Sequence, residues 1–360
     1  MTVLMNNPRN RAAEFCQVFG LRLPILLAPM AGACPTSLSS AVMRAGGCGA
    51  CGAVLMQPDE IEDWATELRA SADGPFQINL WLPDPPPVRD RSHEARVREF
   101  LSGWGPPVHE AAGDATPPNF EAQCQALLRI KPAAVSSIMG LYAPGFVAEL
   151  KSRRIPWFAT VTTVSEAIAA EAAGADVIIA QGVEAGGHRG AFDATKAEQQ
   201  LVGLFALVPA IVDSVRIPVV AAGGIADGRG VAAALILGAS AAVIGTAFLR
   251  CPEAKVNPAW AEALAQTTPE RTIVSRAFSG KPGRSIATNY VHAALGPDAP
   301  APAPYPVQRG LTAAMRLEAQ EKGDLQRIQA WAGQSAMLAR QESAALVTER
   351  VWSEAQALLR

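Results

Sequence analysis

The sequence predicts an α/β fold, a (β/α)8 barrel with an insertion after its third strand and a helical appendage at the C-terminus. Three observations predict it. Eight short, nearly continuous apolar runs alternate with helical patterns, which is how strands buried on both faces of a parallel sheet read. Two helix-to-strand joints, AGAD at 173–176 and LGAS at 237–240, place glycine where a helix must end in a left-handed residue. Glycine clusters follow the seventh and eighth runs, which favours a closed barrel over an open doubly wound sheet.

LPILLAPM (23–30) is the first strand, followed by a helix from Ser37 to Ala45 and a small-residue strand at 48–55. PDEIEDWATELRASA opens a helix at Pro58 with acids in its first turn, as the helix dipole favours, and leads into FQINLWL at 76–82. Residues 83–118 interrupt the alternation: PDPPP at 83–87 and Pro106, Pro107, Pro117 and Pro118 surround a charged helical piece, SHEARVREFLSGWG. An insertion at the C-terminal end of a barrel strand is either a lid or a solvated excursion. The order then resumes with AAVSSIM, helix 144–153, IPWFATVT, helix 164–173, ADVIIAQG, helix 201–215, IPVVAAGG, helix 228–237 and AAVIGTAFL. Residues 20–267 therefore form the barrel. In 268–360, PDAPAPAPYPV at 297–307 excludes regular structure and helical patterns run from about Gly310 to the end, so this segment is expected to pack on the barrel as helices.

A chain of 360 residues with 49% hydrophobic and 18% charged residues has the core of a layered globular fold and not the composition of a disordered one. A formal net charge of -2, without runs of like charge, offers no field for a polyphosphate backbone, so nucleic acid is not an expected partner. Of six cysteines only Cys48 and Cys51 have C-x-x-C spacing, and no second pair completes a zinc site. Buried structural thiols and no metal are the expectation. The first thirty residues lack the apolar block of a signal peptide, and no membrane-spanning segment is expected. A cytoplasmic location without membrane partners is expected.

Barrels that bind a phosphorylated cofactor present backbone N–H groups from the loops after strands seven and eight, where glycine lets the chain approach the phosphate. AAGGIADGRG (221–230) and IGTAF (244–248) stand there, making Gly223, Gly224, Gly245 and Thr246 the expected cradle. QGVEAGGHRGAF (181–192) follows the sixth strand and carries His188, whose side-chain type moves protons near neutral pH; it is the catalytic candidate. His93, His109 and His292 lie in the insertion or the tail and receive no role. Asn79 and Gln181 are amides at the ends of buried strands, suited either to a heterocycle edge or to a hydrogen bond across the barrel. APMAG at 28–32 ends the first strand with small residues that leave room for a flat ring.

Together LPILLAPMAG, FQINLWLPDP, QGVEAGGHRGAF, PVVAAGGIADGRGVAAALILGA, IGTAFL, RAFSGKPGR and AWAGQSA resemble the nitronate monooxygenases, formerly called 2-nitropropane dioxygenases, from about residue 20 to 340. The late AWAGQSA and the PYP at 304–306 are similar to the branch that acts on small alkyl nitronates. The resemblance implies a TIM barrel with noncovalent FMN that oxidises a nitronate with O2 to a carbonyl compound and nitrite. It further implies that Ala28, Pro29, Met30, Asn79, Gln181, Gly186, Gly187, Gly223, Gly224, Gly245, Thr246 and Gln334 line the flavin. His188 would stand near the flavin N5, abstracting the α-proton of a neutral nitroalkane or hydrogen-bonding a nitronate. No fingerprint for an ADP half is present, which favours FMN over FAD. One departure stands out: where many relatives carry a further histidine after the fourth strand, this chain has VSSIMG (135–140), with Ile138 and Met139 there. A more apolar pocket suits a larger or less charged ligand.

Two other readings keep the barrel. One is an FMN-dependent NAD(P)H:quinone or enoyl-thioester reductase; the other is a flavin- or phosphate-binding protein without turnover, against which a proton carrier on the rim argues. A sugar-phosphate isomerase or aldolase would want a Lys or Glu at a strand end, and the nearest, Glu184, sits in a loop.

Overall fold

The computed structural model describes residues 7–360. Eight parallel strands form the wall: β1 (Ile25–Leu27), β2 (Gly49–Gly52), β3 (Phe76–Trp81), β4 (Ala134–Ile138), β5 (Trp157–Val161), β6 (Val177–Gln181), β8 (Val219–Ala222) and β9 (Ala241–Ile244); the two-residue β7 (Gly187–His188) stands outside it. The sheet order is β1-β9-β8-β6-β5-β4-β3-β2. Its two ends meet through a parallel bridge between Leu26 and Cys48, with Leu27 N donating to Cys48 O at 2.9 Å and Cys48 N to Ile25 O at 2.9 Å. The sheet is thus a closed (β/α)8 barrel, as the eight apolar runs predict.

Alternation along each strand sorts side chains between two cores. Leu26, Phe158, Ile179, Val220 and Val243 pack together inside the barrel, whereas Ile25, Leu27, Trp157, Ala159 and Ile178 pack outward. The outer layer consists of α2 (Thr36–Ala45), α3 (Pro58–Ser71), α5 (Phe120–Ile130), α6 (Pro144–Ser152), α7 (Val164–Ala172), α8 (Leu204–Val212) and α9 (Gly228–Ile236). Helix α5 escapes the sequence analysis because the insertion separates it from the strand it serves. So does α1 (Pro8–Phe19), which precedes the first βα unit. It starts with the Asn7 side chain accepting from Arg9 N, ends at left-handed Gly20, and lays Phe15 and Phe19 against Phe158. Phe158 sits near the N-terminal end of its strand, so α1 blocks that end and leaves the opposite rim open.

The insertion contains α4 (Arg91–Ser102), whose Val97 and Leu101 pack with Phe278, Tyr290, Val307 and Leu311 of the C-terminal segment. Arg89 holds the buried Glu94 at 2.6 Å across the start of that helix. Past the barrel come α10 (Pro258–Ala265), α11 (Asn289–Ala294), α12 (Val307–Leu311), α13 (Ala313–Lys322) and α14 (Ala344–Leu358), the last lying on α2 and α9. Within the segment expected to be helical, β10 (Thr272–Ser275) and β11 (Gly283–Ile286) form an antiparallel pair, and β11 continues onto β7 with Gly283 opposite His188. TIVS and GRSI show no alternation because Arg284 is buried: its guanidinium donates to Val183 O and Thr272 Oγ1, both at 2.9 Å. Among the described residues, no helix is long and apolar enough to cross a membrane.

Candidate active site

The open rim leads into a cavity of about 640 Å³, lined at once by the ends of the barrel strands and by residues from the C-terminal segment. Ala28, Pro29 and Met30 form one wall. Their turn is held by Cys34, which accepts from Met30 N at 3.3 Å and donates to Ala28 O at 3.2 Å. Asn79 lines a second wall and donates to Ser136 Oγ at 3.1 Å. At the end of β4 only Ile138 reaches the cavity; Met139 is buried with a left-handed backbone and lines none of it.

The four residues that the glycine clusters single out come together in one place. Gly223, Gly224, Gly245 and Thr246 all line the cavity. Gly223 and Gly224 take φ of +115° and +66°, and a Cβ on Gly223 would stand 3.0 Å from Ala185 N, so the chain folds this closely only because it is bare there. Among the described residues, the Gly224 N–H finds no protein acceptor, and the turn of 3-10 helix at Thr246–Phe248 starts without a side-chain cap. The start of α9 does not share in this, since Asp227 Oδ1 already accepts from Arg229 N and Gly230 N at 3.0 and 3.2 Å. Free backbone donors beside a glycine-lined hollow, next to a wider apolar space, fit a flavin mononucleotide.

The loop after β6 carries Gly186, Gly187 and His188 into the cavity wall. Gln181 holds this loop: its Nε2 donates to His188 O at 3.1 Å and its Oε1 accepts from Gly190 N at 2.8 Å. Gln181 also lines the cavity, and its amide keeps a second N–H beyond these backbone bonds. Arg189, buried, donates to Gln181 O at 2.7 Å and Gln200 O at 3.1 Å and closes the loop from behind. Glu184 accepts from Leu204 N at 2.8 Å at the start of α8 and does not line the cavity. Gln334 sits beside the cavity: its N donates to Glu184 O at 2.9 Å, while its neighbours Gly333 and Ser335 form the wall. Gly333 N donates to Thr246 Oγ1 at 3.0 Å, which fastens that segment to the cradle.

Half-buried His188 stands edge-on between Trp81 and Trp331, with ring centroids at 4.6 and 4.7 Å, and its Nε2 lies 2.7 Å from Ser279 Oγ. Trp81 was within reach of sequence reasoning, two residues from Asn79 and hence on the same strand face. Ser279, Tyr305, Arg309, Arg316 and Trp331 arrive from the C-terminal segment, outside the βα order. Burial, reinforced by the charges of Lys281 and Arg309, pushes the His188 imidazole down to about 3, so it is neutral at physiological pH. Lys281 is itself buried and paired to Asp84 of the insertion at 2.6 Å. Burial also lowers Arg309, and Arg316 to about 10. Among the described residues neither arginine has an ion-pair partner and no aspartate or glutamate lines the cavity, so its interior is positive.

Residues 14–352 match the nitronate monooxygenase family. The chain is 40% identical over 339 residues to a nitronate monooxygenase of Paraburkholderia phytofirmans, covering 91% of each protein. Among solved structures it is similar to nitroalkane oxidase from Streptomyces ansochromogenes, with 34% identity, a TM-score of 0.86, and 95% and 98% of the two chains covered. It is also similar to FabK from Thermotoga maritima, with 29% identity, a TM-score of 0.75 and 96% of each chain covered. A closed barrel with this rim, matched along nearly its whole length, is a member of the nitronate monooxygenase family.

Proposed function

We propose that this protein binds FMN at the C-terminal rim of its barrel and oxidises alkyl nitronates with O2, giving a carbonyl compound and nitrite. The observation that carries the reading is the juxtaposition of a glycine cradle with free backbone donors and an acid-free cavity that holds His188, Arg309 and Arg316. Gly223, Gly224, Gly245 and Thr246 would hold the phosphate, and Ala28, Pro29, Met30, Asn79, Gly186 and Gly187 the ring system. FMN held there would supply the electron transfer between a nitronate and O2.

The chain's own part is to attract, orient and shield. An anionic nitronate is favoured over the neutral nitroalkane because Arg309 and Arg316 meet no acid in the cavity wall. A neutral imidazole with so depressed a pKa is a poor proton acceptor, so His188 acts on a nitronate as a hydrogen-bonding group and removes an α-proton only slowly. Trp81 and Trp331 keep that ring in place and exclude water around it. Replacing Arg309 with glutamine is expected to raise the KM for ethyl nitronate roughly tenfold, the usual size of one charge-assisted contact, with the larger effect on KM than on kcat and a smaller difference at high salt. Steady-state kinetics at two ionic strengths check this.

The reading is tested by releasing and identifying the cofactor of the purified protein and by assaying ethyl nitronate in air. FMN with O2-dependent nitrite formation is the expected result. FMN with rapid NAD(P)H oxidation and no nitrite would instead assign the site to a reductase. A protein that binds no flavin at all contradicts both.

A further inference from the structure

We propose that Ser279 is a positioning residue that holds His188 as its Nδ1–H tautomer, so that the imidazole offers the cavity a hydrogen-bond donor and not a base. The assignment follows from where one hydroxyl proton can go. Ser279 is buried and its Oγ has three neighbours: His188 Nε2 at 2.7 Å, Lys281 N at 3.3 Å and Lys281 O at 3.3 Å. Lys281 N is a donor only, so Ser279 accepts from it. The single hydroxyl proton then goes either to the imidazole nitrogen or to the Lys281 carbonyl.

The distances decide between them. A 2.7 Å contact is of the short, favourable kind for a hydroxyl donor, whereas 3.3 Å lies beyond the usual range for O–H···O. If Nε2 carried the proton instead, Ser279 would accept twice and its own proton would be left with the long contact to Lys281 O. With Ser279 donating, Nε2 is the acceptor and the proton of the neutral ring resides on Nδ1. Among the described residues Nδ1 has no protein partner and is not sealed from the cavity, so it is the nitrogen left for a ligand. The tryptophans on either side allow the ring little freedom to flip, and Gln181 and Gly283 fix the backbone that carries it. A donor aimed into a positive cavity suits the oxygens of an anionic substrate, and in this the inference rests on the reading of the site as one for nitronates.

The tautomer is read directly from the flavin-loaded protein labelled with 15N-histidine, by long-range 1H–15N correlation, with the His188 signals identified by their loss in His188→Gln. Expected is a protonated Nδ1 and an unprotonated Nε2 in the unmodified protein. Ser279→Thr, which retains the hydroxyl, should keep this pattern, and Ser279→Ala should replace it with a mixture of tautomers. With ethyl nitronate, kcat should fall about tenfold in Ser279→Ala, as for loss of one hydrogen bond, and stay within about threefold in Ser279→Thr. A protonated Nε2 in the unmodified protein overturns the assignment, as does a tautomer pattern unaltered in Ser279→Ala. Because the spectrum needs no turnover, a protein that shows Nδ1–H yet ignores nitronates refutes the proposed function and leaves the role of Ser279 intact.

Discussion

Replacing His188 with glutamine is expected to lower kcat/KM for ethyl nitronate by at least about a hundredfold while the protein keeps its flavin, the loss typical of a positioned group that acts on the reacting atoms. The ring is half-buried and joins the rest of the protein mainly through its edges to Trp81 and Trp331 and through Ser279, so the fold does not depend on it. The backbone of residue 188, in contrast, is fixed by Gln181 and by pairing with Gly283, and both survive the substitution. Glutamine can reach as a hydrogen-bonding group but cannot fill the slot between two indoles. The check is steady-state kinetics beside the visible spectrum of the purified variant. Activity within about threefold of the unmodified protein, with flavin bound, would remove His188 from the chemistry.

Gly223→Val is expected to yield a folded, colourless protein. Two independent obstacles act at this position. The backbone holds φ of +115°, which a β-branched residue does not adopt without strain, and the added Cβ would meet Ala185 N at 3.0 Å and the Ala185 side chain at 3.2 Å. Relief requires the loop after β8 to move off the loop after β6, and these two loops form the cradle between them. The flavin Kd should rise at least about a hundredfold, the effect of losing several charge-assisted backbone contacts together. A matched control is Gly20→Ala, which has φ of +69° and open space around it at the end of α1; it should cost about 1 kcal/mol in stability with no change in flavin affinity. Reconstitution titrations with FMN, alongside circular dichroism, separate the two. Equal flavin binding in both variants would place the phosphate elsewhere.

The barrel was legible because its strands are buried on both faces and therefore read as continuous apolar runs, with glycines closing AGAD and LGAS at the expected joints. The glycines of the cavity wall stand out for a related reason: φ of +115° at Gly223 calls for glycine, and the two clusters fall at matching places in successive βα units. What the βα order does not organise is reached only through the resemblance, whose segments RAFSGKPGR, PYP and AWAGQSA contain Ser279, Tyr305 and Trp331 and give them no role. Ser279, Tyr305 and Trp331 come from a short polar hairpin, a proline-rich stretch and an irregular turn, none of which has a period that points a side chain anywhere. Arg309 and Arg316 are seven residues apart, two helical turns, and share a face only because α13 follows α12 almost without a break at Thr312. The amides illustrate a different limit. Gln181 was legible as a buried polar group in need of partners, yet its partners are the backbone of His188 and Gly190 in a loop whose path no strand pattern specifies. Gln334, which the resemblance implies lines the flavin, stands between Gly333 and Ser335, and these two neighbours form the cavity wall.

On the proposed function, electrons enter this site from a nitronate. The direct measurement is to mix the flavin-loaded protein with ethyl nitronate under strict exclusion of oxygen and follow the visible flavin bands, with NADPH mixed in a parallel sample. Expected is that the nitronate bleaches the bands within the time of a turnover, that admitting air restores them with release of nitrite, and that NADPH leaves them unchanged. Bands that persist with the nitronate and bleach with NADPH would contradict it.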